Sequence, residues 1–238
     1  MKVPGLMDAD RILRIPLLPV LAVQALHVRR NAQRLPEPIG PRKGREGHGP
    51  RLRLLIAGDS SAAGVGVDYQ SQALSGQLVS RLARQYCVEW RLEATTGHTT
   101  QDTLNRLQNL DATFDVVVTA LGVNDVTRLV SQRKFANLQT RLLNHLSKKL
   151  GARHVVVTAV PRMERFPALP QPLAWVLGRQ SSRLDQSLQC LIKDFPGALH
   201  LPLDFPDDPT LAAADGYHPS PKAYQLWAEA VANLLRQA

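Results

Sequence analysis

Ser60, in Gly58-Asp59-Ser60, and His218, in Asp215-Gly216-Tyr217-His218, are the residues of this chain best suited to covalent chemistry. A hydroxyl becomes a nucleophile when a neutral imidazole takes its proton, and a carboxylate on the other ring nitrogen holds that imidazole in the right tautomer. Asp215 stands three positions before His218, close enough for a short turn to bring its carboxylate to Nδ1 and leave Nε2 facing Ser60. These three residue types are the minimum set for serine-type acyl transfer. Taken alone, Gly-Asp-Ser reads equally as a strand-to-helix turn whose Ser is a cap, and an isolated His as a satisfied polar residue.

Two further positions could supply the neutral donors that a tetrahedral acyl intermediate needs where its oxygen charge develops. They are Gly97, in Thr96-Gly97-His98-Thr99, and Asn124, in Gly122-Val123-Asn124-Asp125. The plainer alternatives are a loop glycine with positive φ and a turn residue, but each motif directly follows a strand-like run. The nucleophile segment is not Gly-x-Ser-x-Gly, because Ala62 stands where the second glycine would be, which disfavours an α/β-hydrolase elbow. Asp59 and Asp125 are expected to brace their loops through backbone N–H groups. Residues 161–178 hold four prolines, and Phe166, Leu169 and Trp175 among them could wall an acyl or alcohol pocket, or simply pack on the domain.

As a set, Gly58-Asp59-Ser60, Gly97, Gly122-Val123-Asn124-Asp125 and Asp215-x-x-His218 resemble the motifs of the SGNH, or GDSL, hydrolase family, in the right order across residues 52–236. The resemblance implies Ser60 as nucleophile, His218 as base, Asp215 as its orienting carboxylate, and an oxyanion hole made by the N–H groups of Ser60 and Gly97 and the amide of Asn124. It implies cleavage of small-molecule carboxylic esters, with short-chain acyl or acetyl esters expected, and no metal or organic cofactor. Thioesterases, lysophospholipases and acyltransferases share this machinery. The reading from another class is a non-catalytic, membrane-associated binding protein.

The elements that must carry these residues alternate. Strand-like apolar runs at 52–57, 88–94, 114–120, 154–159 and 198–203 are separated by stretches with apolar residues at helical spacing, such as Phe135, Leu138, Leu142 and Leu146. The last helix has the clearest start, with Ser220 as N-cap and Pro221 at its first position. The pattern predicts a three-layer α/β/α sandwich with a parallel sheet of about five strands, flavodoxin-like by the resemblance, its site at the carboxyl ends of the strands.

The net charge of +9 suggests nucleic acid until it is located: residues 1–53 hold eleven Lys or Arg against four Asp or Glu, leaving +2 for the remainder. The basic character belongs to an arm, so no nucleic-acid partner is expected. Residues 1–34 are read as a basic and apolar N-terminal arm, 35–50 as a Pro/Gly-rich linker, and 51–238 as the catalytic domain. Within the arm, 15–28 is apolar, with Pro16 and Pro19, and is read as a helix packed on the domain, as an interfacial membrane anchor giving peripheral membrane contact, or as a signal-peptide core. A cytoplasmic or peripherally membrane-associated location is favoured over secretion. Cys87 and Cys190 stand in no metal-type spacing and indicate neither a zinc site nor a disulfide framework. Oligomeric state stays open.

Overall fold

The computed structural model describes residues 9–206 and 208–237; residues 1–8 of the arm lie outside the described residues. Its centre is a six-stranded sheet, ordered β1-β3-β2-β4-β5-β6. The strands are β1 (Lys43–Glu46), β2 (Arg51–Gly58), β3 (Cys87–Ala94), β4 (Val116–Ala120), β5 (His154–Thr158) and β6 (Ala198–Leu201). All neighbours pair in parallel except β1, which runs antiparallel on the outer edge of β3. The five parallel strands are the apolar runs of the sequence, as expected when helices cover both faces of a sheet.

The sixth strand is a correction. β1 has the sequence Lys-Gly-Arg-Glu, is exposed along its whole length and lies inside the stretch read as a linker. No apolar alternation announces it, because an edge strand needs only a free backbone ladder to pair with, and β3 supplies one.

Side chains alternate across the sheet with period two. Leu54, Ile56, Val88, Leu92, Val118 and Val156 face one core with helices α3 (Leu74–Leu82) and α8 (Pro221–Gln237). Leu55, Ala57, Val117, Val155 and Val157 face the other, with α4 (Thr100–Gln108), α6 (Gln132–Asn144) and α7 (Leu173–Ile192). Two short helices, α2 (Ser60–Ala63) and α5 (Val123–Thr127), follow β2 and β4 directly. The N-terminal α1 (Ala9–Asn31) rests on α7 from outside.

This connectivity positions the site. The chain leaves β2 for β3 on one side, then crosses to β4 on the other, so β2 sits at the point where the strand order reverses and the loops after β3 and β4 diverge around it. The loops carrying Ser60, Gly97 and Asn124 therefore leave the same edge of three adjacent strands.

Candidate active site

Ser60 is the first residue of α2, one step past the carboxyl end of β2. Asp59 caps this helix, its Oδ1 accepting from Ser61 N at 3.0 Å and Ser61 Oγ at 2.7 Å. Gly58 has φ +157, and a Cβ there would stand 2.0 Å from the Ala120 carbonyl, so only glycine lets β2 turn this tightly against β4. The buried Tyr224 of α8 donates its hydroxyl to the carbonyls of Val65 and Ser61, at 2.8 and 3.0 Å, and so locks the turn that follows Ser60.

His218 arrives from the loop before α8. Ala213 N donates to His218 O at 2.8 Å and Ser220 N to Leu211 O at 2.9 Å, cinching residues 211–220 into a closed loop. Gly66 lies beneath it, where a Cβ would meet Pro219 O at 2.4 Å and His218 Cβ at 3.2 Å, so the loop's close approach to α2 depends on that glycine. The ring then stands with Nε2 2.8 Å from Ser60 Oγ and Nδ1 2.5 Å from Asp215 Oδ2. Asp215 is buried, and its Oδ1 accepts from the backbone N–H groups of Tyr217 and His218, each at 3.0 Å. Burial acts to raise its pKa, but the hydrogen bonds from the His218 ring and the two amides outweigh it and hold the carboxyl below its ordinary value.

Gly97 follows β3 with φ +85, and the space a Cβ would occupy is open, so a substrate oxygen can approach its amide. Its carbonyl accepts from Arg128 Nη2 at 2.9 Å. Asn124, in α5, donates one amide hydrogen to His98 O at 3.0 Å; the second hydrogen of that NH2 group is left for an acceptor in the site. Asp125 braces the same corner, its Oδ2 accepting from Thr100 N at 3.1 Å and Thr100 Oγ1 at 3.0 Å. Burial pushes the Asp125 carboxyl up, and complete burial pushes Asp59 up to about 6 against the hydrogen bonds from Ser61.

The three candidate wall residues all pack in or against the same apolar core, in different surroundings. Phe166 packs edge-on against Tyr217, ring centroids 6.4 Å apart, beside His218. Leu169 is buried in the core. Trp175 lies in α7, which begins at Leu173 inside the stretch read as irregular, and lines a separate cavity with Arg162, Glu164 and Asp185. Four prolines hid that helix start, but all of them precede Leu173, where proline does not interrupt the helical ladder. Among the described residues, no group of three or more His, Cys, Asp or Glu side chains is placed to hold a metal ion.

Sequence reading also missed two side chains that hold the Gly97 loop, Arg128 and Glu37. Glu37 lies 59 residues from Thr96, whose N–H it accepts, and no local pattern marks a contact of that range.

A family model for GDSL-like lipases and acylhydrolases matches residues 56–226, most of the chain and all of the motifs described above. The chain belongs to the GDSL-like lipase/acylhydrolase family. This GDSL-family chain is 31% identical over 207 residues to a GDSL-like esterase of Mycobacterium tuberculosis, a match covering 79% of this chain and 62% of that protein's length. Among solved structures, the psychrotrophic esterase EstA of Pseudoalteromonas aligns with a TM-score of 0.61 at 20% identity, over 78% of this chain and 97% of the other. An acetylxylan esterase of Geobacillus stearothermophilus aligns at 0.57 with 16% identity, over 79% and 95%. At these identities the structural likeness establishes the fold, a three-layer α/β/α sandwich of the GDSL type.

Proposed function

We propose that this GDSL-family protein is a serine hydrolase of carboxylic esters that works through an acyl-enzyme on Ser60. The observation that carries the reading is the hydrogen-bonded row from Asp215 through His218 to Ser60, with contacts of 2.5 and 2.8 Å. His218 takes the Ser60 proton as Oγ attacks the ester carbonyl, and Asp215, ionised and held by three donors, stabilises the imidazolium that forms. The N–H groups of Ser60 and Gly97 and the free hydrogen of the Asn124 amide receive the developing oxyanion. Ser60 N–H is in the first turn of a helix and has no intrahelical acceptor, so its hydrogen is available. His218 then protonates the leaving alcohol, and a water activated by the same nitrogen attacks the acyl-enzyme, releasing the acid and restoring Ser60.

Every proton in this cycle moves between Ser60, His218, substrate and water, so the residues named complete it without a cofactor. Short acyl or acetyl groups are the substrates we propose, by likeness to the esterase relatives, one of which is an acetylxylan esterase. Labelling with a fluorophosphonate, which traps an activated serine, tests the assignment. Wild-type protein should label at Ser60 and hydrolyse aryl esters, while Ser60→Ala should do neither and lose at least about a thousand-fold in kcat/KM. A Ser60→Ala variant with more than a tenth of wild-type turnover would sink the reading.

A further inference from the structure

α1 meets the domain along one narrow edge. Leu17, Leu21 and Val28 recur at spacings of four and seven and pack on the core that α7 helps form. Gln24, on the same edge, donates from Nε2 to Gln171 O at 2.6 Å and accepts at Oε1 from Leu173 N at 3.1 Å. That second bond satisfies one of the amides that the first turn of α7 leaves unpaired, so α1 is a docked helix with a polar clamp.

Between Ile12 and Leu26 the outer face of α1 is exposed and apolar, with Arg14 half-buried within the span. From Ile12 to Leu26 the exposed positions are Ile, Leu, Ile, Pro, Leu, Pro, Val, Ala, Val, Ala and Leu in chain order, without one charge. Ile15 is 71% exposed, Leu18 56% and Val23 68%. Such a surface is costly in water, and on a folded domain it marks an interaction site. At its C-terminal end the character inverts: Arg29, Arg30 and Arg34 are all exposed.

We propose that the outer face of α1 docks this protein on an anionic phospholipid bilayer, the helix lying in the plane of the interface. An apolar face about 22 Å long, at 1.5 Å per residue over 12–26, ending in a cluster of arginines is the complement of acyl chains bordered by negative headgroups. The arginines favour lipid over a second copy of this chain, since an antiparallel two-fold contact along α1 would set them against Asp10 alone, whereas a layer of anionic headgroups meets all three. Length and composition alone would also allow a spanning helix, with an 18-residue window of mean hydropathy 1.4. Pro16 and Pro19 argue for the surface, because they have no N–H and leave the carbonyls of Ile12 and Ile15 without helical partners. Near the headgroups water can reach those carbonyls; in the hydrocarbon core nothing would.

α1 is linked to the site through the chain before α7. The chain from Phe166, which packs on Tyr217, runs through Leu169 to the Gln171 and Leu173 that Gln24 clamps.

The test is co-sedimentation of the purified full chain with vesicles of phosphatidylcholine, with and without phosphatidylglycerol, beside hydrolysis of a soluble aryl ester. The full chain should pellet with the phosphatidylglycerol vesicles, and binding should weaken as salt rises. Leu18→Glu and Val23→Glu, both at exposed positions, should lower the partition coefficient about ten-fold or more with soluble-ester turnover unchanged. Arg29→Gln with Arg30→Gln should weaken binding to the anionic vesicles alone. A full chain that stays in the supernatant overturns the proposal, as does vesicle binding that both Glu variants retain. Retention in membranes after an alkaline carbonate wash would mean a spanning helix, and a lipid-free dimer dissociated by Val23→Glu would mean a second copy on this face; either replaces the proposal. Because ester turnover is read separately, loss of membrane binding and loss of the hydrolase reading are distinguishable.

Discussion

Glu37 holds Thr96, the residue before Gly97: its Oε1 accepts from both Thr96 N and Thr96 Oγ1 at 2.9 Å, while Oε2 accepts from Arg42 at 2.7 Å. The stretch that composition marks as a linker thus supports one side of the candidate oxyanion hole. Arg128 holds the other side through the Gly97 carbonyl.

Glu37→Gln tests this directly. A glutamine turns one oxygen acceptor into a donor and removes the charge that favours Arg42, so the Gly97 N–H loses its fixed aim. We expect kcat/KM to fall about ten-fold, mainly in kcat, since a donor aimed at the transition state matters little to ground-state binding. The Glu37 carboxyl lies below its ordinary pKa: burial opposes this, but the Thr96 and Arg42 hydrogen bonds prevail. With the folded value depressed, its support is present above the unfolded carboxyl pKa and is lost as pH falls through the folded one. The gap in melting temperature between wild type and variant should therefore narrow on acidification. A lowered melting temperature with kcat intact would show a merely structural role.

Asn124→Ala separates an oxyanion donor from a turn residue by magnitude. Loss of one such donor should cost about 2.7–4 kcal/mol in kcat with little change in KM. The bond to His98 O is also lost, so a small fall in melting temperature accompanies it. Nearly unchanged kcat would remove Asn124 from the hole.

Asp59 gives a pH-dependent prediction of opposite sign. Burial raises its folded pKa to about 6 from an ordinary 3.8, so the folded state binds the proton more tightly than the unfolded state. Stability then falls as pH rises between those values, by an upper bound of about 3 kcal/mol once the carboxyl is ionised. Asn keeps an oxygen for Ser61 N and Ser61 Oγ and carries no charge. Asp59→Asn should therefore raise the melting temperature near pH 8, and the gain should vanish toward pH 4. A difference that stays constant across that range would refute the raised pKa.

Two truncations locate the start of the working unit. A chain beginning at Leu35 keeps Glu37 and β1 and should hydrolyse soluble esters nearly as the full chain does. A chain beginning at Arg51 loses both, bares the β3 edge and leaves Thr96 unheld. It should melt lower and lose most of its kcat. Equal activity in the two truncated chains would show that residues 35–50 do not support the site.

The sequence by itself determined the sheet's five parallel strands, since strands buried on both faces must be nearly continuous apolar runs. It also determined the candidate chemistry, because Gly58-Asp59-Ser60 and Asp215-Gly216-Tyr217-His218 each set their own local geometry: an Asp cap on the turn at Ser60, and a three-residue turn that seats Asp215 on His218 Nδ1. Contacts between distant segments were decided only by the tertiary structure. Ser60 and His218 meet across 158 residues because α8 packs against α3 and its Tyr224 locks the turn after Ser60. The polar strand β1 and the Glu37–Thr96 contact arise from a free edge and a nearby loop in space, and neither leaves a periodic trace. The helix of the arm was legible in its apolar residues, but which edge it buries was not. Its outer face is as apolar as its inner one, so Gln24 and the position of α7, rather than the hydrophobic pattern, select the packed side.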